Sequence, residues 1–189
     1  MTDVVLTVVG ERVALGPIRR DQLPLYYRWN NDLDVLRTTS SVRATTLEAF
    51  ERLFDASIGA DDQLHFTIYE RESVRPVGGV NLQHINHRDR NAQFAIAIGE
   101  KDCWGKGYGT EATRLMLDYA FNALGLHTVL LWVLAYNTAG MRAYQRAGFV
   151  EAGRWHEAHR LGQVVHDVVF MECRATAFES PVLAAVLKA

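Results

Sequence analysis

The chain has 189 residues, of which 49% are hydrophobic and 22% are charged, a composition typical of a globular domain and not of a disordered or fibrous protein. Twenty Lys and Arg residues against 22 Asp and Glu residues give a formal net charge of −2. The sequence therefore lacks the basic field that direct nucleic-acid binding requires. The length fits a single domain, which we predict over residues 1–174, followed by a C-terminal helical tail over residues 175–189.

The cysteines and the apolar runs predict a cytoplasmic protein without a metal centre. Cys103 and Cys173 are 70 positions apart and form no CxxC pair, so neither a disulfide framework nor a thiolate zinc site is expected. The first 16 residues carry acidic side chains among the apolar ones, unlike a secretory signal peptide. No apolar run reaches the roughly 18 residues of a membrane span, so we predict no membrane association.

The first part of the chain combines short β-branched runs with two amphipathic segments. Residues 4–9 and 12–15 predict an opening strand or hairpin. Asp21 is expected to cap a first helix, and Thr45 or Thr46 is expected to cap a second. Apolar residues at helical spacing after each cap favour both helices.

An antiparallel meander is predicted next, over residues 65–69, 77–84 and 94–98, and the pattern then changes. The later elements are a long helix ending at Gly125, a strand at 128–134 buried on both faces, a helix at 137–147, a hairpin of residues 150–159 and 164–173, and a tail broken by Pro181. This order predicts a mixed α/β (α+β) fold with a mixed sheet.

A glycine-rich loop at residues 104–110, Trp-Gly-Lys-Gly-Tyr-Gly-Thr, precedes the long helix. Glycines there allow a ligand to approach the backbone, and the helix dipole favours an anion, so a phosphate or pyrophosphate is the predicted ligand. A Walker loop is excluded because Gly107 stands where a hydroxyl is needed. The dinucleotide fingerprint is weak because no Asp or Glu occurs between Asp118 and Glu151. A plain turn with three glycines is the structural alternative.

Two motifs of this chain resemble those of one enzyme family. Residues 104–112 are similar to the acetyl-CoA loop of the Gcn5-related N-acetyltransferases (GNAT), whose pattern is Gln/Arg-x-x-Gly-x-Gly/Ala. Trp104 stands at the Gln/Arg position, as is common in the branch of the ribosomal-protein acetyltransferases RimJ and RimL and the bacterial spermidine acetyltransferases. The second motif, Asn137, Tyr144 and Gly148-Phe149, is also typical of that branch.

The resemblance implies the GNAT fold, an antiparallel meander followed by a splayed parallel strand pair, with acetyl-CoA as co-substrate in the gap and no metal. Backbone groups of the first splayed strand would bind the pantetheine arm like an added strand. The glycine loop would hold the pyrophosphate, and Asn137 the pantetheine or the helix start. The implied cofactor-binding residues are Ile96, Ala97, Ile98, Trp104, Gly105, Lys106, Gly107, Tyr108, Gly109, Thr110 and Asn137.

Tyr144 is the catalytic residue that the resemblance implies. Attack of an amine on the thioester expels a thiolate, which a nearby hydroxyl would stabilise and then protonate. A tyrosine has an unperturbed pKa of about 10 against about 8.5 for a thiol, so it is protonated at neutral pH and can serve as general acid. A core tyrosine on the short helix is the structural alternative.

The general base is not identified by the sequence. Relatives often carry a Glu immediately before the position of Phe94, where this chain has Gln93, which cannot act as a base. His84, His87 or a bound water are the remaining candidates. His156 and His159 are three positions apart on a predicted strand, so they face opposite sides and form a poor metal pair.

The acceptor must present a neutral amine to the thioester. Residues 85–94 are similar to the same stretch of spermidine acetyltransferases, which favours a small-molecule amine. A protein N-terminal α-amine, as in RimJ and RimL, is the second hypothesis, and a catalytically silent acyl-CoA sensor is the third. Asp32, Asp34, Glu48 and Glu51 either attract a cationic acceptor or form a solvated face. The resemblance is also compatible with a homodimer through the C-terminal strands or tail.

Overall fold

The computed structural model describes residues 4–39 and 43–187. The strands are β1 (Val8–Val9), β2 (Val13–Pro17), β3 (Leu64–Glu70), β4 (Pro76–Asn86), β5 (Asn91–Ile98), β6 (Thr128–Leu134), β7 (Val150–Leu161) and β8 (Val164–Arg174). The helices are α1 (Leu23–Trp29), α2 (Leu33–Leu36), α3 (Leu47–Ser57), α4 (Tyr108–Asp118), α5 (Thr138–Ala147) and α6 (Leu183–Val186), and a π-helical turn, Tyr119–Ala123, extends α4. No helix within these two ranges is long and apolar enough to span a bilayer.

One eight-stranded sheet organises the fold, in the order β1-β2-β3-β4-β5-β6-β8-β7. Every neighbouring pair is antiparallel except β5 and β6, which are parallel. On one face, Leu115 and Met116 of α4 join Val129 and Leu131 of β6 in the buried core. The predicted mixed α/β fold and opening hairpin are therefore confirmed.

The helix starts agree with the sequence at one of the two predicted caps. Thr46 caps α3 by accepting the Ala49 N–H at 3.3 Å, as predicted. The predicted Asp21 cap is wrong, because this carboxylate pairs with Arg19 at 2.7 Å inside a 3-10 turn. Asp32 instead caps α2, a one-turn helix that the sequence did not predict.

The strand β6 is buried along one face but only at Leu134 on the other, which corrects the prediction of burial on both. Val129, Leu131 and Val133 lie in the core, whereas Leu130 is 39% exposed and Trp132 is half-buried. The apolar run arises because the strand is central in the sheet, but the face that carries Leu130 is left partly open to solvent.

The parallel pair β5 and β6 separates along its length. The two strands pair only from Asn91 to Gln93 on β5 and from Thr128 to Leu130 on β6. Beyond this point β5 continues to pair with β4, and β6 continues to pair with β8. The splayed strand pair is thus confirmed, and its carboxyl ends leave a gap next to the starts of α4 and α5.

The C-terminal segment is attached to the fold by one buried carboxylate. Asp118, at the end of α4, accepts hydrogen bonds from Ser180 Oγ at 2.6 Å, from Val182 N at 2.9 Å and from Leu183 N at 2.8 Å. Asn122 Nδ2 donates a fourth at 2.7 Å. Asp118 thereby caps the start of α6 from a distant helix, and Leu183 packs into the core.

Replacing this carboxylate should destabilise the whole chain. In Asp118→Ala, buried backbone N–H groups lose their acceptor, and we expect the free energy of unfolding to fall by about 2–4 kcal/mol. Urea denaturation of the variant against wild type measures the loss. Asn122→Ala, which removes a single donor to the same carboxylate, should cost about 1 kcal/mol. Equal denaturation midpoints for wild type and Asp118→Ala would contradict this account.

Candidate active site

A cavity of about 560 Å³, here called the first cavity, occupies the gap between β5 and β6. The end of β5, the glycine loop, the start of α4 and one side of α5 line it. Every predicted site residue except Lys106 lies along it, namely Ile96, Ala97, Ile98, Trp104, Gly105, Gly107, Tyr108, Gly109, Thr110, Asn137 and Tyr144. The two sequence motifs, which are separated along the chain, therefore meet at one site.

The exposed edge of β5 presents alternate backbone groups to the first cavity. Gly99 N donates to Val77 O at 2.9 Å, which fixes the hydrogen-bonded register with β4. Because such groups alternate along an antiparallel pair, the peptide groups of Ala97 point at β4, and those of Ile96 and Ile98 point into the gap. Of the three residues expected to contact a pantetheine arm through their backbone, only Ile96 and Ile98 direct peptide groups into the gap. Ala97 lines the cavity, but its peptide groups are bonded to β4.

Trp104 ties the glycine loop to the end of β5. Its indole Nε1 donates to Ile98 O at 2.8 Å, and this hydrogen bond attaches the loop to the strand. At the other side of the loop, Arg12 donates to Lys106 O at 2.9 Å and pairs with Glu111 at 2.9 Å. The loop is thus held at both ends by side chains, and its central backbone is free to bind a ligand.

The glycine loop turns sharply into α4. Gly105 and Gly107 have φ values of +75° and +81°, in the left-handed region that favours glycine. Gly107 is the N-cap, and the first intrahelical bond runs from Glu111 N to Gly107 O at 3.1 Å. The preceding N–H groups have no acceptor within the helix, so they are available to an anion at its positive end.

Two residues of the loop use their side chains away from the ligand site. Lys106 is exposed and does not line the first cavity. The Tyr108 hydroxyl donates to Glu70 Oε1 at 2.6 Å, and this bond together with partial burial raises the pKa of Tyr108 to about 12. Tyr108 therefore lines the first cavity without offering it a free hydroxyl, and Lys106 lies outside the cavity.

Tyr144 is placed at the wall of the first cavity by α5. Its ring packs edge-on against Phe94 at 6.1 Å and Phe149 at 6.0 Å between ring centres, which fixes its orientation. Burial raises the pKa of Tyr144 to about 12. Its hydroxyl, which has no hydrogen-bond partner in the described part of the chain, is therefore a neutral proton donor at the gap.

Asn137 and Tyr136 join the start of α5 to the segment after α2. Asn137 Oδ1 accepts the Gly140 N–H at 2.9 Å, which caps α5, and its Nδ2 donates to Thr38 O at 3.1 Å. The Tyr136 hydroxyl donates to Arg37 O. The helix-start role foreseen for Asn137 is confirmed, and the same side chain fixes residues that border the gap.

Three arginines at the first cavity were missed by the sequence reasoning. Arg142 and Arg146 are four positions apart on α5, and Arg37, after α2, lines the same cavity. Their guanidinium groups suit the phosphates of a nucleotide-containing ligand. The sequence did contain a signal for two of them, because Arg142 and Arg146 are spaced i, i+4 on a predicted helix and therefore share one face of it.

A second cavity of about 270 Å³ lies beside β5 and shares Ile96 and Ala97 with the first. Its walls come from α1, α2 and α3 on one side and from β3, β4 and β5 on the other. His65 of β3 and Asn81 of β4, which are register partners, both line it. Two differently lined cavities thus share part of β5 as a wall.

Comparison with known proteins identifies the family of this site. A model of the acetyltransferase (GNAT) domain matches residues 12–150. The chain belongs to this GNAT family. It is therefore an acetyltransferase, with acetyl-CoA as its acetyl donor, and the resemblance seen in the two motifs is confirmed.

Individual relatives agree with the family assignment. The spermidine N(1)-acetyltransferase of Escherichia coli K12 is 31% identical over 152 residues, which is 80% of each chain. The human α/β-tubulin N-acetyltransferase 9 is 30% identical over 155 residues, 75% of this chain and 74% of the human one. A crystal structure of the Vibrio cholerae spermidine N-acetyltransferase with CoA and spermine superimposes with a TM-score of 0.83 at 25% identity, covering 89% of this chain and 98% of that one.

Neither histidine suggested as general base reaches the cavities of this GNAT enzyme. His84 and His87 are exposed and line neither cavity, and Gln93 is the last residue of β5 that pairs with β6. The structure instead places His65 in the second cavity, where burial lowers its pKa and keeps the imidazole neutral. No sequence pattern signalled His65, because its position depends on the pairing of β3 with β4.

The remaining titratable candidates, including Glu48 and Glu51, line neither cavity. Asp32 and Asp34 both contact Lys101 Nζ, at 2.9 and 3.0 Å, and line neither cavity. His156 bonds Asp167 at 3.2 Å, while His159 is the register partner of a different residue on β8. Within the described ranges, no three His, Cys, Asp or Glu side chains are grouped to hold a metal ion.

Proposed function

We propose that this acetyltransferase transfers the acetyl group to the primary amine of a small molecule. The observation that supports this is the meeting of the two cavities at Ile96 and Ala97, with the Tyr144 hydroxyl on the first. The second cavity is a pocket of small-molecule size walled by helices α1 to α3. The E. coli and V. cholerae relatives, named for spermidine acetylation, are consistent with a small amine.

The site residues fit acetyl-CoA as the co-substrate. The peptide groups of Ile96 and the N–H of Ile98 suit the amides of a pantetheine arm, whereas the Ile98 carbonyl already accepts the Trp104 indole N–H. The N–H groups at the start of α4 suit a pyrophosphate. Bound acetyl-CoA supplies a thioester carbonyl for the amine to attack. Tyr144 then donates its hydroxyl proton to the departing sulfur, and Arg142 and Arg146 hold phosphate charge at the rim.

Loss of a proton from the acceptor is the second requirement. An alkylamine of pKa about 10.4 costs about 4.6 kcal/mol to deprotonate at pH 7. Neutral His65 is the basic side chain that lines the second cavity among the described residues. We propose that the proton leaves through this cavity by way of water, since Gln93 supplies no carboxylate where relatives carry one.

Release of free CoA thiol from acetyl-CoA tests this function. The panel contains polyamines, alkylamines, arylalkylamines, amino acids, aminoglycosides and peptides with free N-termini. Selective turnover of a small amine supports the proposal. Turnover of N-terminal peptides alone would assign the enzyme to protein α-amines. The human relative, named for tubulin acetylation, is consistent with a protein acceptor. Tight acetyl-CoA binding without turnover of any acceptor would leave a silent sensor.

The two protein thiols should not interfere with that assay. Burial raises the pKa of Cys173 to about 11, and burial also raises the pKa of Cys103, so both thiols stay protonated near neutral pH. Because the thiolate is the reactive form, we expect Ellman's reagent to titrate neither cysteine in the native enzyme and both in denaturant. Rapid native reaction of either thiol would contradict the burial described here.

Two further features belong to the proposal. We expect the enzyme to act in the cytoplasm, where its two free cysteines stay reduced. We also expect a homodimer through the C-terminal strands, because the sheet face carrying Leu130, Val150 and Trp155 exposes apolar side chains. Light scattering after gel filtration measures the mass, and a monomer at assay concentration would contradict the dimer.

A further inference from the structure

We propose that the acceptor is a monoamine with an uncharged apolar body and that the second cavity selects such amines against polyamines. This rests on the proposed function, because it assigns the acceptor of acetyl transfer at the gap. Three properties of the cavity lead to it: an unpartnered acceptor atom, apolar and aromatic walls, and the lack of a carboxylate.

The unpartnered acceptor is the side-chain oxygen of Asn81. Asn81 lies on β4 between His65 of β3 and Ala95 of β5, and all three line the second cavity. Its Oδ1 is buried and has no hydrogen-bond partner among the described residues. Buried acceptors in native proteins are nearly always satisfied, so this oxygen is suited to an N–H of the bound amine. Its position one strand from β5 places that amine towards the gap.

The walls of the second cavity suit an apolar body. Tyr26 and Trp29 of α1 lie 5.9 Å apart between ring centres, and Phe50 of α3 adds a third aromatic ring to the lining. Val35 and Leu36 of α2 are buried beside them. The Tyr26 hydroxyl is already bonded within the protein, so these side chains offer the ligand mainly apolar surface.

The second cavity offers no countercharge to an additional ammonium group. In residues 4–39 and 43–187, no Asp or Glu lines it, and the intervening residues 40–42 are Ser, Ser and Val. The carboxylate nearest in the hydrogen-bond network is Glu100, which accepts the Trp29 indole N–H at 2.8 Å and pairs with Arg28 and Arg75. His65 is held neutral by burial.

A polyamine bound here would bury a second ammonium group without a partner, which is strongly unfavourable. A monoamine avoids this cost, since its single amine loses its proton before it attacks the thioester. The preference for monoamines over polyamines thus follows from charge. Contact of an apolar body with the aromatic walls further stabilises the bound monoamine.

Hexylamine and cadaverine form a matched pair for the test, because the second amine of cadaverine replaces the terminal methyl group of hexylamine. In wild type we expect kcat/KM for hexylamine to exceed that for cadaverine and spermidine by about 30-fold or more, equivalent to at least about 2 kcal/mol. Phenethylamine should be used at least as well as hexylamine. The Kd of acetyl-CoA, measured by calorimetry, is recorded alongside.

Asn81→Asp supplies the missing carboxylate within the second cavity. We expect it to shift the hexylamine-to-cadaverine ratio towards cadaverine by about tenfold or more without changing the Kd of acetyl-CoA. Gln83→Asp is the matched control, since Gln83 lies two positions along the same strand and lines neither cavity. It should leave the ratio unchanged.

The outcomes separate this inference from the proposed function. Equal or better use of cadaverine and spermidine by wild type would overturn the monoamine specificity and leave small-amine acetylation standing. A ratio that moves equally in Asn81→Asp and Gln83→Asp would also overturn the role of the second cavity. No turnover of any amine, with acetyl-CoA bound, would instead refute the proposed function itself.

Discussion

Tyr144→Phe should lower kcat for CoA release by a factor on the order of 10²–10⁴ and leave the Kd of acetyl-CoA within about twofold of wild type. The substitution removes only the hydroxyl, while the ring that packs against Phe94 and Phe149 remains. Without that proton donor, the sulfur must depart as an unstabilised thiolate. Steady-state turnover and calorimetric binding, measured on the same preparation, separate the loss of chemistry from a loss of binding.

The control for this variant is a tyrosine outside both cavities. Tyr119 packs its ring against Phe66 at 5.3 Å and lines neither cavity, so Tyr119→Phe should retain wild-type kcat. Full activity of Tyr144→Phe would mean that Tyr144 is only a core tyrosine. Because burial raises the pKa of Tyr144 to about 12, the hydroxyl stays protonated through pH 10, and no loss of kcat from its ionisation is expected below that pH.

The first cavity could be predicted from the sequence because its parts are local motifs. The glycines of residues 104–110 specify the turn into α4, and Asn137 specifies the start of α5, whatever the rest of the chain does. A known family pattern then supplied the distance between them. What the motifs could not give was the direction of each group, such as the peptide of Ala97, which the register with β4 turns away from the gap.

The second cavity could not be predicted because it has no motif. His65 and Asn81 are 16 positions apart and become neighbours only through the pairing of β3 with β4. The helix α1, which also lines the cavity, comes from an earlier part of the chain. The wrong cap at Asp21 has a local cause. The pattern offers Asp21 as an acceptor, but the side chain of Arg19, two positions away, pairs with that carboxylate, and α1 begins at Leu23 with Gln22 at its N-cap.

Local patterns also overestimated the burial of β6. An apolar run of seven residues is what a strand covered on both faces requires, but Leu130 remains exposed. The run specifies a central strand, and the elements that cover each face are contributed by distant parts of the chain. Accordingly, what the sequence predicts least well is what several separated elements build together, including the pocket that decides the acceptor.

Gly109→Val should raise the Kd of acetyl-CoA by about 100-fold or more, equivalent to about 2.7 kcal/mol, while the melting temperature stays close to that of wild type. Gly109 lies at the second position of α4 with an ordinary φ, and a Cβ added there would meet only Ile98 Cγ1 at 3.8 Å. A Cβ at this position therefore causes no clash within the fold. A Val side chain would, however, obstruct a pyrophosphate that approaches the N–H groups at this helix start. The substitution should therefore weaken acetyl-CoA binding without lowering the stability of the fold.

The neighbouring glycines make poorer tests of the same contact. Gly107 has a φ of +81°, and a Cβ there would come within 2.9 Å of Arg12 Nη1, so its substitution would strain the loop before any ligand arrived. Gly153→Val controls for the effect of a glycine-to-valine change away from the site. That position on β7 has an ordinary φ, open space around it and no part in either cavity. Unchanged acetyl-CoA affinity in Gly109→Val would refute the loop as the pyrophosphate site. A large loss there, set beside intact binding in Tyr144→Phe, would assign binding to the start of α4 and proton transfer to α5.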